Sequence, residues 1–344
     1  MKFLKIIIIF LLISSAIGGL WAYKTYKEIY NSNVNLGNKE YQYLKIPTGS
    51  NFDDLCLILE KNKLVEDINS FRKVADLKSF SNVKSGRYKI LNKMTNNALI
   101  SKLRIGDQSP INITFNNVRT TAQLAGKISK NLELDSLEII NHFNAKEVQR
   151  KYGFNSATFI SMFIANTYQV FWDISLTELT QRMATEYKQF WIKERREKAK
   201  NLGMSQSEVS TLASIVQLES LKKDEQPKIA GVYINRLKRG MLLQADPTVI
   251  YAVGDFSIKR VLKKHLKTNS PYNTYKYKGL PPGPIYLASP SAIDAVLNYK
   301  KHNYIYFCAK EDFSGYHSFA SSYNQHINNA RRYQRALNKR RIYK

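Results

Sequence analysis

An uncharged run at the N-terminus constrains this chain more than any other feature. Residues Ile6–Tyr23 carry no charged side chain. A backbone inside lipid must satisfy its own hydrogen bonds, so this run is predicted to form one transmembrane helix, 6–23. A bilayer needs about 20 residues. Phe3 and Leu4 extend the apolar run if the side chain of Lys5 reaches back to the interface. Trp21 suits the far interface.

The alternative to a membrane anchor is a signal peptide that is removed after export. The sequence has no convincing small-x-small cleavage site before the Tyr- and Lys-rich stretch that follows, so we favour an uncleaved single-pass anchor. Lys2 and Lys5 favour a cytoplasmic N-terminus, and Lys24 and Lys27 weaken the asymmetry. We expect a cytoplasmic tip, 1–5, an anchor in the inner (cytoplasmic) membrane, and the remaining chain in the periplasm or another extracytoplasmic space.

The charge of the chain indicates an anionic partner. Lys and Arg number 53 against 27 Asp and Glu, a net charge of +26. Such a balance suits nucleic acid, anionic lipid or an acidic polymer. Because the anchor places the basic surface outside the cytoplasmic membrane, we expect no nucleic acid. The two cysteines, Cys56 and Cys308, are predicted to be buried thiols in preference to one disulfide. The histidines have no metal-ligand spacing, so no metal or organic cofactor is expected.

Alternating strand and helix patterns predict an α+β fold. After a polar linker, 24–40, strand and helix signals predict a small α+β module at 41–107. The segment 108–204 reads as a strand followed by a helical connecting region. A larger α+β domain is expected at 205–344.

Three helix starts have recognisable caps. Ser175 with Glu178 forms a capping box that begins a long charged helix, and Gly203 is suited to end it. Ser205 begins a second capped helix in the same way. Asp246 is predicted to be an N-cap, with Pro247 at the first helical position.

The helix that begins after Ser205 carries an acid beside its apolar stripe. At about 100° per residue, Glu219 lies next to Leu212 and near Val216, on the flank of the stripe. Partial burial there disfavours the charged form and raises the pKa of the carboxyl, as general-acid catalysis requires. The alternative is an edge glutamate that pairs with a lysine.

Downstream segments are rich in polar groups that suit a sugar. Asn235 and Arg236 interrupt an apolar helix pattern, and the loop 270–290 is long and rich in Pro and Gly. Loops of this kind are often functional. Amides and hydroxyls bond to sugar hydroxyls, and aromatic rings pack on the C–H faces of the ring.

Residues from about 205 to 328 resemble the catalytic domain of the YceG-like family, the endolytic murein transglycosylases. The segments that carry the resemblance are "LASIVQLES", "AGVYINRLKRGMLLQADPTVIYAVG", "SPYNTYKYKGLPPGPI", "YIYFCAK" and "GYHSFASSYNQHI". A weaker likeness, "NTYQV" at 166–170, lacks the family's preceding Pro-Asp and is given no role. The family also has a LysM-like peptidoglycan-binding subdomain, which implies a LysM-like identity for 41–107.

The resemblance implies which carboxyl is catalytic. The family's catalytic glutamate is the second acid of a Glu-x-Glu, and that position is Glu219 here. The first position is Gln217, which points about 160° away on the helical wheel. The replacement of the family's first glutamate by Gln217 is compatible with a mechanism that uses a single carboxyl group.

The implied activity is that of a lyase with no cofactor. Glu219 would protonate the oxygen of a MurNAc-β-1,4-GlcNAc bond, then accept the proton of the muramyl C6 hydroxyl as it attacks C1, leaving a 1,6-anhydro end. The residues implied in substrate binding are Asn235, Gln244, Asp246, Thr248, Tyr272, Asn273, Thr274, Tyr275, His317 and His326. A structural role is the alternative for each histidine, and a capping role for Asp246. The family also implies peptidoglycan glycan strands as partner, with peptidoglycan synthases and penicillin-binding proteins nearby.

Two other functions remain open at the level of sequence. A water-using muramidase would leave reducing ends and would normally need a second carboxylate. A non-catalytic peptidoglycan-binding protein would retain binding through 41–107 and release no fragments.

Overall fold

The apolar N-terminal run is the first part of a longer helix. The computed structural model describes residues 2–340 and begins with α1 (Lys2–Tyr30). Among these residues, one helix, Phe3–Tyr30, is long and apolar enough to cross a membrane, and none of its most apolar stretch is buried. Met1, in the predicted tip 1–5, and residues 341–344, at the end of the predicted domain 205–344, lie outside the described residues.

Contacts divide the chain into two compact units. The first comprises the chain as far as Asn112 together with Asn131–Glu133 and Gln169–Ile174, and the remainder forms the second. Most of the segment 108–204 therefore belongs to the same unit as the residues that resemble the YceG-like catalytic domain.

The first unit contains the predicted small module. Its elements after α1 are β1 (Tyr41–Ile46), α2 (Phe52–Lys61), α3 (Ile68–Leu77), β2 (Gly86–Leu91) and α4 (Asn96–Ile105). The strands are antiparallel, with Tyr41 opposite Leu91 and Ile46 opposite Gly86. Alternate strand residues such as Leu44 and Tyr88 are buried in the unit's hydrophobic core. The strand and helix signals predicted for 41–107 correspond to these two strands and three helices.

The predicted linker 24–40 is wrong as a description of this segment. Its first part continues α1 to Tyr30. Its second part packs into the unit, since Val34 is 1% exposed and bridges to Val65. The Asn33 amide also donates to Asn96 Oδ1 at 2.8 Å. The polar composition of this segment predicted a linker. The residues that hold the segment in place lie far from it in the sequence, so no local signal revealed those contacts.

The second unit is mainly helical. β3 (Ile111–Thr114) and β4 (Thr167–Val170) pair with each other. A boundary between the two units falls within each of these strands. The helices are α5 (Thr121–Ser129), α6 (Ser136–Asn144), α7 (Lys146–Lys151), α8 (Leu176–Phe190), α9 (Lys193–Asn201), α10 (Gln206–Glu219), α11 (Gln226–Lys238), α12 (Asp246–Val253), α13 (Pro290–Leu297) and α14 (Tyr323–Lys339), with short 3-10 turns at Phe159–Met162 and His265–Lys267. A hairpin, β5 (Tyr306–Ala309) and β6 (His317–Ala320), precedes α14. The α+β fold class is confirmed.

The long charged helix predicted after Ser175 is two helices. Ser175 and Glu178 form the predicted capping box. The helix then breaks at Trp191, whose ψ of 65° is not helical and whose side chain is 0% exposed. Burial of this indole redirects the chain into α9, and periodicity alone did not reveal the break. Gly203 follows α9 with a φ of +68°, as a helix stop requires.

The predicted apolar stripe of α10 is buried and packs against α11, α12 and α13. The capping box of Ser205 and Glu208 is confirmed. The predicted N-cap at Asp246 is wrong, because α12 begins at Asp246 and its N-cap is Ala245, with no side-chain cap bond.

Both cysteines are free thiols. Cys56 is buried, as predicted, and burial raises the pKa of its thiol to about 11. Cys308, in β5, is only partly buried.

Candidate active site

Glu219 is the last residue of α10 and lies at the edge of the packed core. The helix residues from Val209 to Val216 are buried, whereas Glu219 is partly exposed. Ser220 leaves the helix in an extended conformation. Glu219 lines an open cleft of about 540 Å³. The helix therefore fixes the carboxyl at a point where core and cleft meet.

The surroundings of Glu219 favour its protonated form. Desolvation raises the pKa of Glu219 to about 7, and the charge of Asp246 adds to this effect. The Tyr233 hydroxyl, from α11, donates to Glu219 Oε1 at 2.9 Å and opposes the shift, as do His317 and Arg236. Because burial outweighs these, a carboxyl that can donate a proton is present near neutral pH.

Arg236 places a buried positive charge beside this carboxyl. It is 7% exposed, and its Nε and Nη1 donate to the carbonyls of Ile305 at 2.6 Å and Leu243 at 2.7 Å. Burial lowers the pKa of Arg236. These bonds join α11 to the hairpin and to the loop before α12.

His317 enters the same cleft from β6 and is fixed by Glu225. Its Nδ1 lies 2.7 Å from Glu225 Oε2, and its backbone N–H donates to Oε1 at 2.8 Å. The Ser220 hydroxyl donates to Glu225 at 3.3 Å. Burial raises the pKa of Glu225, but the bonds from His317 outweigh it and leave the pKa lowered. With Nδ1 held by Glu225, Nε2 is the ring nitrogen left for other contacts.

Sequence reasoning missed Glu225. It follows two lysines and an aspartate and resembles a solvated residue. Its partner His317 is 92 positions away. No local signal in one sequence connects the two.

Asp246 and Tyr275 form a second polar pair. The Tyr275 hydroxyl donates to Asp246 Oδ1 at 2.6 Å, and Asp246 is exposed. Burial and the Asp246 carboxylate raise the pKa of Tyr275. The side chain of Gln244 is also exposed, and its backbone, at a φ of +50°, donates to Thr274 O.

Other residues predicted to bind substrate make side-chain hydrogen bonds within the protein. Asn235 donates to the carbonyls of His302 and Tyr304. Asn273 is 0% exposed, and its amide donates to backbone carbonyls of the preceding loop. Thr248 and Thr274 are buried and bond to each other at 2.8 Å. These side chains hold the loops that surround the site.

Tyr272 and His326 are both held by aromatic neighbours. The ring of Tyr272 lies 4.7 Å from that of Tyr251, and burial raises its pKa to about 12. His326 stacks on Tyr306 with ring centroids 5.1 Å apart, and burial lowers its pKa. Its Nδ1 is buried without a hydrogen-bond partner among residues 2–340.

Gln217 faces away from the site, as the helical wheel predicts. Its Oε1 accepts the backbone N–H of Ser289, the N-cap of α13, at 2.7 Å. Within residues 2–340, no group of three or more His, Cys, Asp or Glu side chains is arranged to hold a metal ion.

Comparison with known proteins gives a consistent family assignment. The model of the YceG-like family matches residues 44–332. The chain is 32% identical over 295 residues to a Bacillus subtilis protein named endolytic murein transglycosylase, covering 81% of each. A Streptococcus pneumoniae protein of the same name is 26% identical, and this chain spans 61% of its length. A solved YceG-like protein of Listeria monocytogenes matches with a TM-score of 0.57 and 26% identity, covering 85% of this chain and 99% of that one. The chain belongs to the YceG-like family.

Proposed function

We propose that this protein is a membrane-anchored lytic transglycosylase that cuts peptidoglycan strands internally, with Glu219 as its single general acid and base. One observation carries the proposal. Glu219 lines an open cleft, its Oε1 accepts the Tyr233 hydroxyl, and burial raises its pKa to about 7. The names of the curated relatives support the substrate, peptidoglycan.

In the first step, Glu219 acts as the acid. Since Oε1 accepts from Tyr233, we assign the transferable proton to Oε2. That proton moves to the glycosidic oxygen between MurNAc and GlcNAc as the C1–O bond breaks. The GlcNAc side leaves as an alcohol, and positive charge develops at C1 of the muramyl residue. Glu219, now ionised, lies close to that charge.

In the second step, the same carboxylate acts as the base. It accepts the proton of the muramyl C6 hydroxyl while that oxygen bonds to C1. The product is a 1,6-anhydromuramyl end, no water is consumed, and Glu219 is protonated again. A pKa near 7 suits a group that must both donate and accept a proton at neutral pH.

The proposed contacts for the sugars are side chains that are exposed or partly exposed. They are Gln244, Asp246, Tyr272, Tyr275 and His317. The occupied groups of Asn235, Thr248, Asn273 and Thr274 give those residues a scaffolding role, and His326 supports Tyr306. The first unit is the proposed LysM-like site that retains glycan, and α1 is the proposed anchor in the inner membrane.

A water-using muramidase is the second candidate, and Asp246 favours it. This carboxylate is exposed and near enough to raise the pKa of Glu219. A hydrolase would use such a group to activate water or to attack C1. Glu225 does not fit that role, because His317 and Ser220 occupy both its oxygens.

Product analysis distinguishes these functions. The full chain in detergent is incubated with purified peptidoglycan, and the released fragments are identified by mass spectrometry. We expect anhydro ends from the wild type and from Asp246→Asn. Glu219→Gln keeps the shape and removes the transferable proton, so its rate should fall by about 10²-fold or more.

Each other result points to a different mechanism. Reducing ends that disappear in Asp246→Asn would establish the hydrolase. Unchanged cleavage by Glu219→Gln would remove Glu219 from the mechanism. Retained binding of peptidoglycan with no fragments from any variant would favour the non-catalytic protein.

A further inference from the structure

Apart from Glu219 and His317, the residues that line the cleft beside Glu219 take no part in the proposed bond cleavage, and we call the part of the cleft that they form the half-cleft. One wall is the segment that joins α10 to α11, and the other is the turn between β5 and β6. The lining residues on which the inference depends are Leu221, Lys222, Phe313, Gly315, Tyr316 and Tyr333. Among the described residues that line the cleft, Glu219 is the one acid, and Lys222 and Lys310 are the two lysines.

Lys222 is held in place on the first wall. Its Nζ lies 5.0 Å from the centre of the Tyr316 ring. A Cβ on Gly315 would lie 3.3 Å from Lys222 Cε, so the lysine stem runs along the glycine. The Tyr316 hydroxyl donates to Asp224 at 3.1 Å and ties the two walls together. No described carboxylate forms an ion pair with Lys222. A cation oriented in this way, with a small loss of side-chain entropy, is suited to bind an anion.

The opposite wall is also preorganised. Asp312 accepts from the backbone and hydroxyl of Ser314, which fixes the turn. Phe313 is held in the left-handed region at a φ of +60°, with its ring 5.8 Å from that of Tyr333 on α14. The wall therefore presents aromatic surface that is already in position.

Leu221 provides an apolar contact at the mouth of the cleft. It is 94% exposed, two residues after Glu219. A single exposed leucine has no special meaning by itself. Here it lies beside an oriented cation and an aromatic wall, so the half-cleft combines a site for a carboxylate with surface for small apolar groups.

We propose that this half-cleft binds the peptide stem of the muramyl residue whose bond is cut, with Lys222 contacting a stem carboxylate. The inference rests on the proposed function, since Glu219 places a muramyl residue beside the cleft. The stem extends from the 3-O-lactyl group of that sugar and combines carboxylates with small apolar side chains. The occupant is thus an acidic peptide attached to a glycan, and the protein would cut stem-bearing strands in preference to bare ones.

The test compares two substrates that differ only in the stem. Soluble uncrosslinked strands are used either intact or after an amidase has removed the peptides, which leaves the lactyl carboxylate free. On intact strands, Lys222→Gln should lower kcat/KM by about 3- to 5-fold, mainly through KM. On bare strands it should have no effect. Lys222→Arg should retain the wild-type value, and Lys223→Gln, which removes an exposed neighbouring charge outside the lining, is the matched control.

Binding separates this proposal from the proposed function. In the Glu219→Gln background, the dissociation constants for both strands are measured by calorimetry on the full chain. Tighter binding of intact strands that is lost with Lys222→Gln supports the stem site even if no cleavage occurs. An equal effect on both strands, no effect, or an effect confined to bare strands overturns it, and the last result would assign Lys222 to the free lactyl carboxylate.

Discussion

At the scale of single residues, the position of Glu219 determines its pKa. It is the last residue of a helix whose preceding turns are buried. The C-terminal end of a helix is the negative end of its dipole, so a carboxylate there is disfavoured in addition to the cost of burial. One hydrogen bond from the Tyr233 hydroxyl offsets part of that cost. The balance leaves a carboxyl whose pKa, about 7, is matched to proton transfer in both directions.

The raised pKa of Glu219 lowers the free energy of unfolding by an amount that depends on pH. The pKa of Glu219 is raised from 4.5 to about 7 on folding, so the folded protein binds more protons than the unfolded chain between these values. The free energy of unfolding therefore falls as pH rises through that window and is constant above it. Glu219→Gln removes the ionisation. We expect the variant to be more stable than wild type at pH 8, by on the order of 1–3 kcal/mol, and equal to it near pH 4.

Thermal unfolding of the full chain in detergent at both pH values measures this difference. Asp246→Asn is the comparison variant: it removes a charge that raises the pKa of Glu219 but keeps the ionisable carboxyl, so its stabilising effect at pH 8 should be smaller. A Glu219→Gln variant that melts below wild type at pH 8 would show that the carboxylate is stabilised in the fold, contrary to the predicted shift.

At the scale of elements, α10 separates the face proposed for catalysis from a structural one. Glu219 ends the helix at the cleft, whereas Gln217 accepts the backbone N–H of Ser289 at the start of α13. The resemblance places a family glutamate at position 217, and a glutamate there could accept the same bond. The residue at this position is therefore explained by its contact with α13 and not by catalysis.

A pair of substitutions at Gln217 tests this division. Gln217→Ala leaves the Ser289 N–H without its acceptor and should lower the free energy of unfolding by about 1 kcal/mol. Gln217→Glu keeps an acceptor and should recover most of that loss. Both variants should release the same product ends as wild type, by mass spectrometry. A large loss of cleavage by a Gln217→Ala variant that remains folded would assign the residue to the reaction.

Elements with local signals were predictable, and contacts between distant segments were not. The capping boxes at Ser175 and Ser205 and the stripe beside Glu219 follow from spacing within one helix. The break at Trp191 follows from tertiary burial of one indole. The pairing of Glu225 with His317 joins residues 92 positions apart. Sequence reasoning found the groups that suit a sugar, but could not tell that amides such as Asn273 are satisfied by neighbouring carbonyls.

At the scale of the whole molecule, the positive charge and the N-terminal helix are both suited to a position at the membrane, beside an acidic polymer. A net charge of +26 would draw the protein to acidic polymers. The exposed apolar part of α1 would be unfavourable in water and favourable in lipid. Together they suit a protein that remains at the membrane and acts on a polyanionic wall.

Packing at the end of α1 argues that the helix is retained after export. Lys73 pairs with Glu28 at 2.5 Å, and the Asn96 amide donates to Glu28 O at 2.9 Å. Ile29 packs against the core of the first unit. The apolar run therefore continues, without a helix break, into a turn that the folded unit holds. Cleavage close to this turn would cut a continuous helix and would require α1 to unwind there.

We therefore expect the mature protein to keep its N-terminal run. The full chain is expressed with a C-terminal tag, and the membrane and soluble fractions are examined by intact-mass measurement. The expected species is the uncut chain in the membrane fraction. A variant that lacks residues 2–23 should keep Glu28 and its contacts and appear in the soluble fraction. A wild-type mass that corresponds to a new N-terminus near Tyr23 would identify the run as a signal peptide, and the enzyme would then diffuse freely to its substrate.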